Sequence, residues 1–127
     1  MTQSIEALTT ATLSLALSAA GQRHQAIAAN LANAGAHGYA PVRIAFESHL
    51  ADARQALRDK GSVDAQSLAA VRVELEPDVD ASGQPVPVQL DAAMVEMARN
   101  AVHYQALTQG LSRHLAIHAL AVADGKR

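Results

Sequence analysis

The chain has 127 residues, half of them apolar, with ten basic and twelve acidic side chains, a formal charge of −2 and no cysteine. This composition excludes a wholly disordered chain, and it excludes disulfides, thiolate nucleophiles and cysteine metal sites. Neither charge sign forms a long run, and the aromatic set is only Tyr39, Phe46 and Tyr104, so the basic footprint and stacking platforms of a nucleic-acid binder are both missing.

Alanine and leucine carry the apolar count. Alanine is the best intrinsic helix former but buries little area. Long helices packed against neighbouring copies suit such side chains better than a compact globule.

The first predicted element is a helix from about Ser4 to Asn33, with Ser4 as its N-cap. Ile5, Leu8, Thr12, Leu15, Ala19, Gln22 and Ala26 follow steps of three and four. Leu13, Leu17, Ala20, His24, Ile27 and Leu31 form a neighbouring seam. Ala11 to Ala20 superficially resembles the core of a secretory signal. Glu6, the only charge before it, has the wrong sign, and threonines and serines dilute the run. An amphipathic helix without a cleaved signal is the expectation, and no stretch approaches the roughly 20 apolar residues of a membrane span.

Gly35 is expected to close this helix in the left-handed conformation. Gly38 supplies a second flexible point, and Pro41 biases Ala40 towards extended backbone. Beyond it, Ile44, Phe46, Leu50, Ala53 and Leu57 predict a short helix over Ile44–Leu57, stopped by Asp59-Lys60-Gly61. Val71, Val73 and Leu75 alternate with Arg72, Glu74 and Glu76, a half-buried strand pattern. A second extended segment at Val86–Val88 is expected to pair with it through the Asp78–Pro85 turn, with Pro85 and Pro87 at an edge.

The last element has the strongest periodicity. Leu90, Met94, Met97, Ala101, Tyr104, Thr108, Leu111, Leu115, His118 and Val122 repeat in steps of four and three. Asp91 is the expected N-cap, and a helix over Ala92–Val122 would be about 45 Å long. The expected architecture is mostly α. Two long, coiled-coil-like terminal helices (residues 1–35 and 90–127) form an antiparallel hairpin, with residues 36–89 as an irregular, β-containing insertion. The assembly seam is read as Ile5, Leu8, Leu15 and Ile27 on the first helix, and Leu90, Met94, Met97, Tyr104, Leu111 and Leu115 on the last. Each helix can hide one face against the other and still offer apolar strips to neighbouring molecules. Two different complementary surfaces generate a ring or a filament.

Two motifs carry a family resemblance. The run Ala29-Asn30-Leu31-Ala32-Asn33-Ala34-Gly35-Ala36-His37-Gly38-Tyr39 resembles the N-terminal signature of the flagellar rod and hook proteins, through Asn30, Leu31, Ala32, Asn33, Gly38 and Tyr39. The run Leu90 to Asn100, continued by Tyr104 to Thr108 and Leu111-Ser112, resembles that family's C-terminal stretch. Ala36, His37, Ala40 and Pro41 depart from the family pattern of Thr-Pro before Gly-Tyr and Lys after it. The resemblance implies a structural subunit of the proximal rod that passes through the flagellar type III export apparatus without a cleaved signal. It implies assembly in the basal body, across the periplasm, with other rod subunits, the adaptor FliE and the MS-ring protein FliF. On the residues alone, Asn30 and Asn33 share a helix face and can tie the helix end to its loop or bond across an interface. Tyr39 can bury its ring while its hydroxyl stays bonded.

No catalytic, cofactor or metal residue and no small-molecule substrate is expected. His114 and His118 stand four apart, but there is no His-Glu-x-x-His motif. Glu96 and His103 make a conceivable acid–base pair without a nucleophile motif. Gly35 and Gly38 do not form a phosphate loop. The alternatives are another rod subunit, or a small helical adaptor or chaperone that forms closed complexes.

Overall fold

The computed structural model describes residues 2–46, 50, 51, 55, 58, 59, 63 and 65–125. Their order is α1 (Thr2–Ala32), β1 (Val42–Ala45), α2 (Ala65–Ala69), β2 (Glu74–Pro77) and α3 (Leu90–Asp124). The fold is mostly helical: two long helices with a two-stranded antiparallel sheet between them in sequence.

α1 runs unbroken for 31 residues because no proline interrupts its alanine- and leucine-rich sequence. It begins at Thr2, so Ser4 lies inside the helix and is not its cap. It ends at Ala32, where Asn33 turns back on Ala29: the Asn33 amide and backbone N–H both donate to the Ala29 carbonyl, at 2.8 and 3.1 Å. That satisfies one of the carbonyls that a helix end leaves open. Gly35 is therefore not the left-handed stop expected for it. Among the described residues the positive φ angles belong to Gly38 (76°) and Gly83 (80°).

α3 is longer, 35 residues or about 52 Å. Its N-cap is Gln89 in extended conformation, and Asp91 lies in the first turn. There the carboxylate still complements the helix dipole, although it does not cap. α1 and α3 run in opposite directions, since Ala20 meets Asn100 while Glu6 meets His118.

The sheet is not the one the alternation at Val71–Glu76 suggested. β1 pairs antiparallel with β2 in the register Val42↔Pro77, Arg43↔Glu76, Ile44↔Leu75 and Ala45↔Glu74. Ile44 and Ala45 are thus strand residues, not the start of a helix. The branched side chains of Val42 and Ile44 follow Pro41, and Ile44 and Ala45 are buried where β1 meets α1. Leu50, Ala51, Gln55, Arg58 and Asp59 are helical; the rest of the short helix expected up to Leu57, and Lys60 and Gly61 of its stop, lie outside the described residues. Val86–Val88 does not pair with Val71–Glu76. A single bridge precedes it, Val79↔Pro85, and the segment itself contributes the Val86 N–H bond to the Asp78 carbonyl at 2.9 Å. Pro85 and Pro87 have no N–H with which to extend the ladder.

The connecting turn is built around Asp80. Its Oδ1 accepts the Ser82 hydroxyl at 2.6 Å and the N–H groups of Ser82 and Gln84 at 2.8 and 3.0 Å. The core lies where the second half of α1 meets β1 and α2: Ala19, Ala26, Ile27, Ile44, Ala45, Leu68 and Val71 are buried. These side chains are small, so the anchoring area is modest.

Candidate functional site

Two features stand out: a polar corner after α1, and the long face between α1 and α3. At the corner, Asn30 treats Val42 as a neighbouring strand would. Its amide donates to the Val42 carbonyl at 2.8 Å, and its Oδ1 accepts the Val42 N–H at 3.0 Å. The same Oδ1 accepts the Tyr39 hydroxyl at 2.9 Å. One side chain thereby satisfies both backbone groups of the residue opposite Pro77, whose nitrogen carries no hydrogen. Gly38, at φ 76°, lets the chain reverse so that Tyr39 comes back over Asn30. Of the motif residues, Asn30, Asn33, Gly38 and Tyr39 are brought together in this corner. Leu31 is half-buried and Ala32 faces out.

Along the helix pair, α3 turns Ala93, Met97, Asn100, Leu107, Leu111 and His114 towards cover, with steps of four and three. This stripe shares Met97 and Leu111 with the expected seam but is rotated from the rest of it. Ile27 is buried, and Leu8, Leu15, Met97 and Leu111 are half-buried. Ile5, Leu90, Met94, Tyr104 and Leu115 are exposed. Tyr104 nevertheless lies against α1, because a Cβ built on Gly21 stands 3.8 Å from its Cε2. At that distance an alanine side chain would make ordinary contact with the ring, so the approach of the two helices does not require glycine at position 21.

Asn100 is the one buried polar side chain among the described residues. Its amide donates to the Ala20 carbonyl at 2.8 Å, while its Oδ1 has no partner. His114, four turns along the same face, has a buried Nε2 without a partner. Near the open end of the pair, His118 Nε2 lies 2.9 Å from Glu6 Oε2 on a partly exposed surface. Asn100 lies within the C-terminal motif but outside the seam expected from the sequence. Its spacing from Met97 and Leu107 was the available signal. The meeting of Glu6 with His118 had no local signal, since it depends on helix register.

A cleft of about 480 Å³ opens between α1, β1 and α3. Arg23, Arg43, Asp78, Glu96, Arg99 and His103 line it. Glu96 and His103 thus share a cavity, yet the lining holds no serine, threonine or cysteine nucleophile. Arg43 is engaged with Glu76 at 3.6 Å and Asp78 at 4.0 Å. Among the described residues, no three histidines, aspartates or glutamates gather as metal ligands. Among the described residues, no helix is long and apolar enough to cross a membrane.

The carboxyl of Asp80 is held below its usual range, first by the Ser82 hydroxyl, then by the N–H groups of Gln84 and Ser82. This belongs to the turn and stands apart from both features above.

No known family model matches the chain, and no curated protein matches it either. What distinguishes the molecule is the imbalance along α3. Asn100 is its only buried residue, while Leu90, Met94, Val95, Val102, Leu115, Ile117, Leu120 and Val122 are exposed.

Proposed function

We propose that this chain is a non-enzymatic structural subunit of the proximal rod of the bacterial flagellar basal body, of the FlgB type. In this reading α1 and α3 form a coiled-coil-like pair whose uncovered apolar strips bind other rod subunits. The observation that carries it is a 35-residue helix with one buried side chain and nine exposed large apolar ones. The Asn30–Tyr39 corner supports it, because the motif residues that resemble the rod and hook proteins do structural work there. Torque would pass through close-packed interfaces, which transmit strain. No cofactor or small-molecule substrate is required.

The implied partners are other rod subunits, FliE and the MS-ring protein FliF, reached by type III export without a cleaved signal. FlgC-type rod subunits would share the helical architecture and are the nearest alternative. A closed dimer that stops growing would instead favour a small adaptor or chaperone.

The test is a map of rods assembled with wild-type chain and with Leu111→Asp. Leu111 is half-buried on the stripe facing α1, and an aspartate there would place an unpaired charge against apolar surface. Rods carrying the wild-type chain and lacking the variant are expected. Normal incorporation of L111D, or absence of the wild-type chain from rods, refutes the reading.

A further inference from the structure

We infer that the uncharged back of α3 docks onto α1 of a second copy of this chain. The inference rests on the assembly reading and specifies its contact. On α3, steps of seven residues from Met94, Val95 and Ala98 meet no charged side chain as far as Ala123. These positions are adjacent on the helix and cover roughly 100° of its circumference along about 45 Å. Met94, Val95, Val102, Leu115 and Val122 project from this arc with 50 to 66% of their surface exposed. A helix face that meets water ordinarily carries charge. On α3 the charges lie elsewhere: Glu96, Arg99 and His103 line the cleft beside the insertion.

Among the described elements of a second copy, only the long helices match the arc in length, since α2 has five residues and each strand four. The occupant must also be uncharged, since burying an unpaired charge is costly. α1 meets both conditions. From Ala7 to Gln22 it has no charged residue on any face. Its leucines Leu8, Leu13, Leu15 and Leu17 are all only half-buried in the single chain. The exposed positions between them, Ala7, Thr12, Ser14 and Ser18, are small. They leave a shallow surface that can receive the side chains projecting from α3. Two α3 arcs facing each other would oppose projection to projection. Because the arc and the α1 surface are different, their contact repeats from copy to copy. The overlap is limited to the uncharged part of α1, about 24 Å, so one such contact is weak alone.

The chain's lack of cysteine makes a direct test available. Copies carrying Val102→Cys or Leu115→Cys are mixed with copies carrying Ser14→Cys or Ser18→Cys and treated with a short bis-maleimide, after circular dichroism confirms wild-type helix content. His103→Cys, on the cleft side of α3 away from the arc, is the control. Arc–α1 mixtures are expected to give mixed dimers, the control mixtures few. Adding Val102→Glu to the Leu115→Cys copy should abolish its product. Three results overturn the inference: control mixtures crosslinking as strongly, Val102→Cys coupling mainly with itself, or no arc product where the wild-type chain sediments as an oligomer. In each of these the assembly reading survives. A wild-type chain that stays monomeric at every concentration and never enters rods removes both.

Discussion

Asn30 illustrates how one side chain can determine the path of a segment. It takes both hydrogen-bonding groups of Val42 and the hydroxyl of Tyr39. An alanine there leaves a partly buried donor and acceptor without partners. Since each net bond is worth about 1 kcal/mol and a stranded group costs more, Asn30→Ala should lower stability by about 2–3 kcal/mol in urea unfolding. Asn30→Asp keeps the acceptor for the Val42 N–H and the Tyr39 hydroxyl but loses the donor to the Val42 carbonyl, so an intermediate loss is expected. Asp80 makes a prediction of a different kind. Its carboxyl lies below the usual value of 3.8 in the folded chain, because the charged form accepts the Ser82 hydroxyl and two N–H groups. A depressed folded value means that the stabilisation is present above the unfolded value and disappears as pH falls through the folded one. Unfolding followed from pH 7 to pH 2 should show this acid-limb loss, and Asp80→Ala should remove it. Because the turn is exposed, the change belongs to the hairpin more than to the whole chain.

At the scale of elements, the α1–α3 face combines close approach with polar defects. Tyr104 packs beside Gly21, and Asn100 bonds across to Ala20. The unpaired Oδ1 of Asn100 offsets much of what that bond contributes. Two substitutions separate the effects. Asn100→Leu removes both the bond and the stranded oxygen, so stability should change by less than about 1 kcal/mol. Asn100→Asp loses the amide donor to the Ala20 carbonyl and buries a carboxylate at a position only 5% exposed, so a larger loss, about 3 kcal/mol, is expected in guanidinium unfolding. If Asn100→Leu is as damaging as Asn100→Asp, the cross-helix bond outweighs the stranded oxygen. A buried polar residue of this kind also favours one helix register, which fits the meeting of Glu6 with His118 farther along. That exposed pair is worth at most about 1 kcal/mol, so Glu6→Gln should leave the unfolding midpoint nearly unchanged.

At the scale of the molecule, the small buried core and the exposed length of α3 point the same way. The buried set is dominated by alanine, and among the described residues no large side chain is fully enclosed. In the assembly proposed above, such a chain gains much of its stability from neighbours. Binding that favours the folded form raises the melting temperature with concentration. The thermal midpoint of the wild-type chain should therefore climb between micromolar and near-millimolar samples. Val102→Glu should flatten that dependence, and its midpoint at low concentration should match the wild type, because Val102 is 66% exposed in the single chain. A concentration-independent midpoint would contradict the assembly reading.

The two long helices were legible from residues alone, because helix periodicity, uninterrupted alanine-rich sequence and the absence of proline act within a few turns. The corner at Asn30–Tyr39 was legible only in part: a turn after the helix followed from the nearby glycines and proline, but the left-handed position fell on Gly38 instead of Gly35, and the bond of Asn30 to Val42 depended on where β1 came to lie. The tertiary structure alone decided that Val42–Ala45 pairs with Glu74–Pro77, displacing the pairing with Val86–Val88. It alone decided that Asn100 faces α1 while Met94 and Leu115 face outward. Strand partners and helix rotation depend on contacts between residues far apart in the chain. Local alternation at Val71–Glu76, and a heptad pattern that fits two neighbouring stripes of α3 equally well, cannot distinguish such choices.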